Sequence, residues 1–171
     1  MPQSYEHPAV CDSEHLWEEC EVRQLRRSGP GGQHRNKVQT AISLRHLPTG
    51  VRAEASEHRN QSQNRSAALF RLRVNLALQV RCPCGSDHVP SPLWQSRCGG
   101  GLLKVSGSHD DFPSVLAEAL DVLAASNADP KQAAAALRCT PSQLIRLVRL
   151  NPRALVLVNQ WRTERQLHAL R

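Results

Sequence analysis

The segment TAISLRHLPTGVRAEA, residues 40–55, decides the fold class, because apolar and polar residues alternate on both sides of a turn. Alternation over Thr40–Leu47 predicts a half-buried strand, and Val51–Ala55 predicts a second strand after the turn residues 48–50. Upstream, Cys20–Arg26 alternates in the same way and predicts another strand, which the glycine-rich residues 28–32 end. These residues therefore predict a small three-stranded antiparallel sheet.

Downstream of the hairpin, the pattern changes from alternation to helical periodicity. Apolar residues recur at three- and four-residue steps through residues 61–80, at Ala68, Leu69, Leu72, Leu76 and Val80. This spacing predicts a long amphipathic helix covering the sheet. Its basic residues are expected largely on the other face: Arg65, Arg71, Arg73 and Arg81.

The remainder of the chain predicts an all-helical module. Residues 82–110 are rich in Pro, Gly and Ser, which indicates a linker or irregular extension. Helices are predicted over residues 112–125, 130–137, 141–150 and 152–167, the last three because a capping residue precedes a proline at each start. The predicted fold class is therefore α+β followed by helices. The chain is divided into an acidic mobile tail (1–15), an α+β domain (16–81), the linker (82–110) and a helical module with a basic end (111–171).

The charge of the chain is strongly segregated. The net charge is +7, but residues 1–22 carry six acidic and no basic residues, whereas residues 23–81 carry twelve basic and two acidic residues. Clustered Lys and Arg favour a polyanionic partner such as nucleic acid. No apolar run is long enough to span a bilayer, and no signal peptide is visible. Six cysteines without such a signal indicate reduced thiols or a metal site rather than a disulfide framework. We therefore expect a cytoplasmic protein without a membrane partner.

The loop after the first predicted strand carries the most specific motif, Gly31-Gly32-Gln33 within SGPGGQHRNKVQTA, residues 28–41. This run, together with HLPTGV at 46–51, RNQ at 59–61 and the residues that follow, resembles the catalytic domain of class I peptide-chain release factors and their codon-independent ribosome-rescue relatives. The resemblance extends over residues 20–80 in one register. It implies an enzyme that hydrolyses the peptidyl-tRNA ester on the ribosome, with no cofactor and no metal.

The resemblance also implies residue roles. The backbone N–H of Gln33 would stabilise the oxyanion of the transition state, with Gly31 and Gly32 allowing the close approach of the backbone. Gln33 is often methylated in the family, so a glutamine methyltransferase is an expected partner. Ribosomal RNA is expected to contact the basic and polar residues of this domain: Arg27, His34, Arg35, Asn36, Lys37, Arg59 and Arg65.

Nothing in residues 82–171 resembles a stop-codon decoding domain, which favours rescue of stalled ribosomes over stop-codon reading. The alternative is a release-factor-like subunit that needs a partner protein for decoding or ribosome anchoring. At the basic end, Arg146, Arg149 and Arg153 are spaced by three and four, which predicts one helical face able to bind an RNA backbone.

Two competing interpretations remain open. Cys82, Cys84 and Cys98, with His88 or His109, could form a zinc site, although Cys-x-Cys is tighter than the usual structural spacing and free thiols are favoured. Residues 129–150 could form a helix-turn-helix with Ser142, Gln143 and Arg146 on a recognition helix, which would make the chain a DNA-binding protein. An ordinary helical hairpin is favoured over that interpretation.

Overall fold

The computed structural model describes residues 7–25, 40–85, 88–100 and 102–170. A short helix α1 (Ser13–Glu18) leads into an antiparallel sheet in the order β1 (Cys20–Leu25), β2 (Ala41–His46) and β3 (Arg52–Ala55). The elements that follow are α2 (Gln61–Gln79), α3 (Pro92–Arg97), β4 (Cys98–Gly99), β5 (Leu102–Leu103), α4 (Phe112–Ala125), α5 (Pro130–Ala136), α6 (Pro141–Arg149) and α7 (Pro152–Glu164). The predicted fold class, a three-stranded sheet with a long covering helix and further helices, is confirmed.

Alternation along the strands sorts the sheet into two faces. Val22, Leu44 and Ala53 lie in one cross-strand row, and the last two are buried in the core that the sheet shares with α2. The β2–β3 turn closes at Gly50, whose φ of +73° is a left-handed conformation that glycine adopts without a Cβ clash. The Gly50 N–H donates to the carbonyl of His46 at 2.7 Å. The predicted hairpin is therefore present.

Helix α2 begins where the sequence predicts it. The Asn60 side chain accepts a hydrogen bond from the Ser62 N–H at 2.8 Å, which satisfies one of the free donors of the first turn. The buried surface of the helix is wider than the single apolar face that the sequence predicts, because the helix lies between the sheet and α4. Its buried apolar residues are Ala68, Leu69, Leu72, Val74, Leu76 and Ala77.

Arg73 in α2 and Arg81 just after it do not lie on an uncovered face of the helix, as the sequence predicts. Arg73 donates to the carbonyl of Ala9 at 3.0 Å and to the hydroxyl of Ser114 at 2.9 Å. Arg81 forms an ion pair with the buried Asp121 of α4, with Nη1 and Oδ1 2.9 Å apart. The periodicity of α2 could not predict these contacts, because the residues that contact both arginines come from distant parts of the chain.

Helix α4 is the centre of the helical module. It is buried along almost its whole length, with Phe112, Leu116 and Leu120 at most 1% exposed, and it contacts α2, α5, α6 and α7. The three helices after it start at the predicted prolines, each after a capping side chain: Asp129, Thr140 and Asn151. Within the described ranges, no helix has both the length and the apolar character needed to cross a bilayer.

The segment predicted to be a linker or irregular extension, residues 82–110, contains α3 and the β4–β5 hairpin. Trp94 of α3 is buried, and its indole N–H donates to the carbonyl of Leu137 at 2.8 Å. Ser91 donates its N–H and its hydroxyl to the buried carboxylate of Glu118, at 2.7 Å and 2.5 Å. Individual residues such as Trp94 and Ser91 attach this segment to the helical module. Such isolated contacts produce no periodic pattern in the sequence.

The described part of the predicted mobile tail also packs against the body of the protein. Ala9 and His7 are buried, and the Ala9 N–H donates to Nδ1 of His7 at 3.0 Å. The other ring nitrogen of His7 therefore carries the proton and donates to the carbonyl of Val80, 3.2 Å away. Burial lowers the pKa of His7 to about 4, so the ring is neutral at neutral pH. Residues 7–10 are thus fixed at the end of α2.

Candidate functional site

The loop with the predicted catalytic residues joins β1 to β2. Gly31, Gly32 and Gln33 lie outside the described residues, as do Arg27, His34, Arg35, Asn36 and Lys37. The structure describes both ends of this loop, since Leu25 at the end of β1 and Ala41 at the start of β2 are cross-strand partners. The loop therefore leaves and re-enters the sheet at one end, which is also where α2 begins.

A single buried side chain joins the elements at this end. Asn64, in the first turns of α2, donates from Nδ2 to the carbonyl of Thr40 at 2.7 Å and to the carbonyl of His58 at 2.9 Å. Its Oδ1 accepts from the His58 N–H at 2.9 Å, and the residue is 0% exposed. Each lost partner of a buried polar group costs about 1–3 kcal/mol, so Asn64 strongly constrains the residue that precedes β2.

Two predicted RNA-contacting arginines flank this end of the sheet. Arg59 is exposed just before α2 and forms no hydrogen bond or ion pair with any residue that the structure describes. Arg65 is also exposed, and its guanidinium lies 4.0 Å from the ring centroid of Trp17. Stacking occupies the face of the guanidinium and leaves its in-plane N–H groups able to donate to a phosphate. Both side chains therefore fit the predicted role, which stays a prediction.

The structure corrects the prediction that Arg146, Arg149 and Arg153 share one helical face. The first two lie on α6, but α6 ends at Arg149, and Asn151 caps a new helix by accepting from the N–H groups of Arg153 and Ala154. The helical spacing therefore does not connect Arg153 to the other two.

The three arginines also have different partners. Arg146 donates to the carbonyl of Leu103 at 3.2 Å, and Arg153 donates to the side chain of Asn75 at 2.7 Å. The Arg149 side chain is exposed and forms no hydrogen bond or ion pair among the described residues. Of the three, Arg149 has its donors most available for a phosphate.

Two of the three residues proposed for DNA recognition, Gln143 and Arg146, are engaged within the protein. Gln143 accepts from the Leu103 N–H at 2.8 Å, while Arg146 donates to the carbonyl of the same residue. Both side chains are thus bound to the backbone of β5, whereas a recognition helix must direct such side chains at base edges. This contact favours the ordinary helical hairpin over the helix-turn-helix interpretation.

The cysteines provide neither a nucleophile nor the cluster considered for zinc. All six are free, and burial raises the pKa of Cys84 and Cys139 to about 11, which keeps both thiols protonated at neutral pH. Among the described residues, the sets with possible metal ligands close together are His7–Cys82–Asp121 and Cys11–His15–Glu19. Neither set combines Cys82, Cys84 and Cys98, and in the first set both ring nitrogens of His7 are already hydrogen bonded.

Sequence reasoning missed one basic surface, on the side of the sheet facing away from α2. Glu21, Arg23, Ser43, Arg45 and Arg52 line a shallow depression of about 50 Å³ there. The alternation that predicts the strands contains the signal, because these residues occupy the positions between the buried ones. We call this surface, together with Glu54, the outer sheet face.

Comparison with known proteins finds similarity for one segment of the chain. Residues 14–82 match the family model described as the RF-1 domain. The chain is 42% identical over 59 residues to "Peptide chain release factor PrfB1, chloroplastic" of Arabidopsis thaliana, covering 34% of this chain and 13% of that protein. It is 46% identical over 64 residues to "Peptide chain release factor 1" of Acidiphilium cryptum (strain JF-5), covering 37% of this chain and 18% of the relative.

The chain thus spans less than a fifth of the length of either of these relatives. The matched segment contains the sheet, α2 and the β1–β2 loop with its Gly-Gly-Gln sequence. Residues 14–82 of this chain therefore match the RF-1 domain, and both relatives that share this segment are named as peptide chain release factors.

Proposed function

We propose that this protein hydrolyses the ester bond of peptidyl-tRNA on the ribosome. The observation that carries the proposal is the RF-1 domain over residues 14–82 with Gly31-Gly32-Gln33 in its β1–β2 loop. A role in peptide release during translation termination follows from the domain and from the names of the relatives that share it. The partner in this proposal is the ribosome, with its large-subunit RNA and the bound peptidyl-tRNA.

The reaction needs few groups from the protein. A water molecule attacks the acyl carbon, the bond from that carbon to the terminal ribose of the tRNA breaks, and the ribose oxygen takes up a proton. Negative charge on the carbonyl oxygen rises in the transition state, and the backbone N–H of Gln33 would donate to it. The side-chain amide of Gln33 would orient the water and exclude larger nucleophiles.

The described residues would position this loop and hold it against RNA. Asn64 connects Thr40, the residue before β2, to α2 and would fix the point at which the chain re-enters the sheet. Arg59 and Arg65 lie at the same end of the domain, where their charge would neutralise backbone phosphates. In this arrangement the protein supplies the oxyanion donor and the ribosome supplies the rest of the reaction centre.

We further propose that release does not depend on a stop codon and serves to rescue stalled ribosomes. The structure of the chain after the RF-1 domain supports this proposal. Residues 112–164 form helices packed on α2 through α4, and Arg73 and Arg81 bind this module to the domain. Such a module would dock on ribosomal RNA as a preformed unit, with Arg149 among its exposed basic residues.

Gly32→Ala tests the catalytic part of the proposal, with Gly99→Ala as the matched control. The added methyl group at Gly99 meets no atom within 4 Å, so that variant should behave as the wild type. Gly32→Ala should displace the Gln33 N–H from the oxyanion and so lower the rate of labelled-peptide release from ribosomes by roughly 10²–10³-fold, the usual cost of a lost oxyanion donor, while ribosome binding persists. Release at the wild-type rate from Gly32→Ala would show that the chemistry lies elsewhere.

Modification of Gln33 is a separate proposal. Methylation of its side-chain amide by a glutamine methyltransferase would replace one amide hydrogen with a methyl group, which raises the mass of the peptide by that of one CH₂. Mass spectrometry of the peptide containing Gln33, from protein isolated from its native cells, tests this proposal. An unmodified peptide throughout would contradict it.

A further inference from the structure

The outer sheet face carries two parallel rows of charged and polar side chains. Register places Glu21, Arg45 and Arg52 opposite one another in one row, on β1, β2 and β3. The second row contains Arg23, Ser43 and Glu54. Arg23 and Arg45 have side chains 69% and 47% exposed, so these charges reach solvent. The opposite face of the same sheet is buried with α2.

The acidic residues on this face neutralise only part of its positive charge. Glu21 accepts from Arg23 at 3.0 Å and 2.7 Å, and its second oxygen is 3.8 Å from Arg45. The hydrogen bond from Arg23 lowers the pKa of Glu21, so this carboxylate is ionised at neutral pH. The Arg52 side chain forms neither a hydrogen bond nor an ion pair with a described residue. Three arginines against two glutamates leave a positive face.

The placement of Arg45 against Arg52 is the most informative feature. The two are direct cross-strand partners, and like charges directly opposite each other destabilise a sheet. A bound anion would convert this repulsion into attraction, since it would lie between two guanidinium groups. The depression of about 50 Å³ between them and Ser43 gives such an anion a concave position. Guanidinium groups match the geometry of phosphate oxygens in particular.

We propose that the outer sheet face binds the phosphate backbone of RNA, as a contact separate from the residues around the β1–β2 loop. The proposal rests on the proposed function, because it takes the RNA to be that of the large ribosomal subunit. An RNA backbone fits better than an apolar partner, since the two rows contain no apolar side chain. It also fits the charge distribution of the chain, because these arginines belong to the strongly basic segment 23–81. Such contacts position a protein on RNA without reading its sequence.

The test compares two double variants that lose the same charge. Arg45→Gln with Arg52→Gln removes the opposed pair, and Arg97→Gln with Lys104→Gln removes two charges from residues 82–110, a segment with no proposed RNA contact. Binding to vacant large ribosomal subunits is measured over a salt series. The sheet variant should reduce the slope of log K against log salt by about two and weaken binding by roughly 10- to 30-fold near 0.15 M salt. The control variant should leave both quantities unchanged.

A third variant separates charge from folding. Arg45→Lys with Arg52→Lys keeps both charges and should keep the wild-type salt slope. An unchanged slope and affinity in the Gln variant, with a wild-type melting temperature, would overturn the inference. Equal loss of slope in the Lys and Gln variants would overturn it too, because the effect would then not come from charge.

A competition experiment decides between RNA and an acidic protein. A double-stranded RNA should displace the wild type from subunits, and it should bind the Gln variant more weakly than the wild type because the same arginines would contact its phosphates. If poly-glutamate of matched charge competes as strongly and with the same dependence on Arg45 and Arg52, the inference is wrong. Peptide release by the wild type is measured separately. If the wild type releases peptide normally and the Gln variant binds subunits as the wild type does, only this inference is contradicted. If the wild type binds subunits through Arg45 and Arg52 in a salt-dependent way but releases no peptide, only the proposed function is contradicted.

Discussion

The sheet–α2 unit and the helical module use their residues in different ways. In the first, side chains bond to backbone groups of other segments, as Asn64 does to Thr40 and His58, and one face of the sheet is left open and charged. In the second, α4 is enclosed by its neighbours and offers almost no surface. The sheet–α2 unit therefore leaves a charged surface open to solvent, whereas the module is stabilised mainly by apolar burial.

Truncating the core of the helical module should have the largest effect on stability. Leu120 of α4 is 0% exposed, so Leu120→Ala removes buried methyl groups and leaves a cavity. We expect the free energy of unfolding to fall by about 2–5 kcal/mol in chemical denaturation. The matched control is Leu47→Ala, at a leucine that is 59% exposed, where the change should stay within about 0.5 kcal/mol. Similar losses at both positions would contradict the assignment of the core.

Replacing the amide of Asn64 by a carboxylate should be nearly as costly, for a different reason. Asn64→Asp keeps the shape but sets an oxygen against the carbonyls of Thr40 and His58. We expect a loss of about 2–4 kcal/mol in the free energy of unfolding, from repulsion and lost donors. The peptide-release rate of the folded fraction should fall more than ribosome affinity, because the loop end is no longer held.

The control for this change is Gln63→Glu, the same chemical change at an exposed position on the same helix. A negative charge is favourable near a helix N-terminus, so this variant should be as stable as the wild type or slightly more stable. If Asn64→Asp were as stable and as active as Gln63→Glu, the anchoring role of Asn64 would be wrong.

Stability should also depend on the protonation of His7, which joins the N-terminal segment to the end of α2. Burial, the largest cause, and the nearby Arg81 lower its pKa to about 4, below the ordinary value of about 6.5. The folded state therefore binds the proton more weakly than the unfolded state does. The contribution of His7 is complete above pH 6.5 and is lost as the pH falls towards 4, by up to about 3 kcal/mol. Unfolding titrations of wild type and His7→Gln should differ in this pH window, and parallel curves would contradict the assignment.

The smallest effect is expected from the basic residues of the helical module. Arg149→Gln should lower the salt slope of ribosome binding by roughly one, because its side chain has no partner among the described residues. Arg153→Gln should change it less, since Arg153 is engaged with Asn75. Binding titrations at several salt concentrations measure both. Equal effects would restore the prediction that these arginines act as one face.

Local patterns predicted most of the fold. Alternation located the three strands, and proline after a capping residue located the starts of α5, α6 and α7. The contacts of Trp94, His7, Arg73 and Arg81 could not be predicted, because each joins segments far apart in sequence and has no periodic signature. The three- and four-residue spacing of Arg146, Arg149 and Arg153 was misleading, because it runs across the end of α6.

The site divides in the same way. The resemblance indicated the RF-1 domain and Gly31-Gly32-Gln33, while the anchoring role of Asn64 needed the hydrogen bonds that only the structure gives. The outer sheet face was within reach of sequence reasoning. Arg23, Arg45 and Arg52 occupy the polar positions of the predicted strands, but their meeting depends on the register between strands.

The most direct test of the central claim is single-turnover release of labelled peptide from two kinds of ribosome complex, one with an empty decoding site and one with a stop codon in that site. The protein as it exists in cells is compared with Gly32→Ala. We predict release from the empty complex that is at least as fast as from the stop-codon complex and that depends on Gly32. Release that requires the stop codon, or that needs an added decoding protein, would contradict codon-independent hydrolysis by this chain.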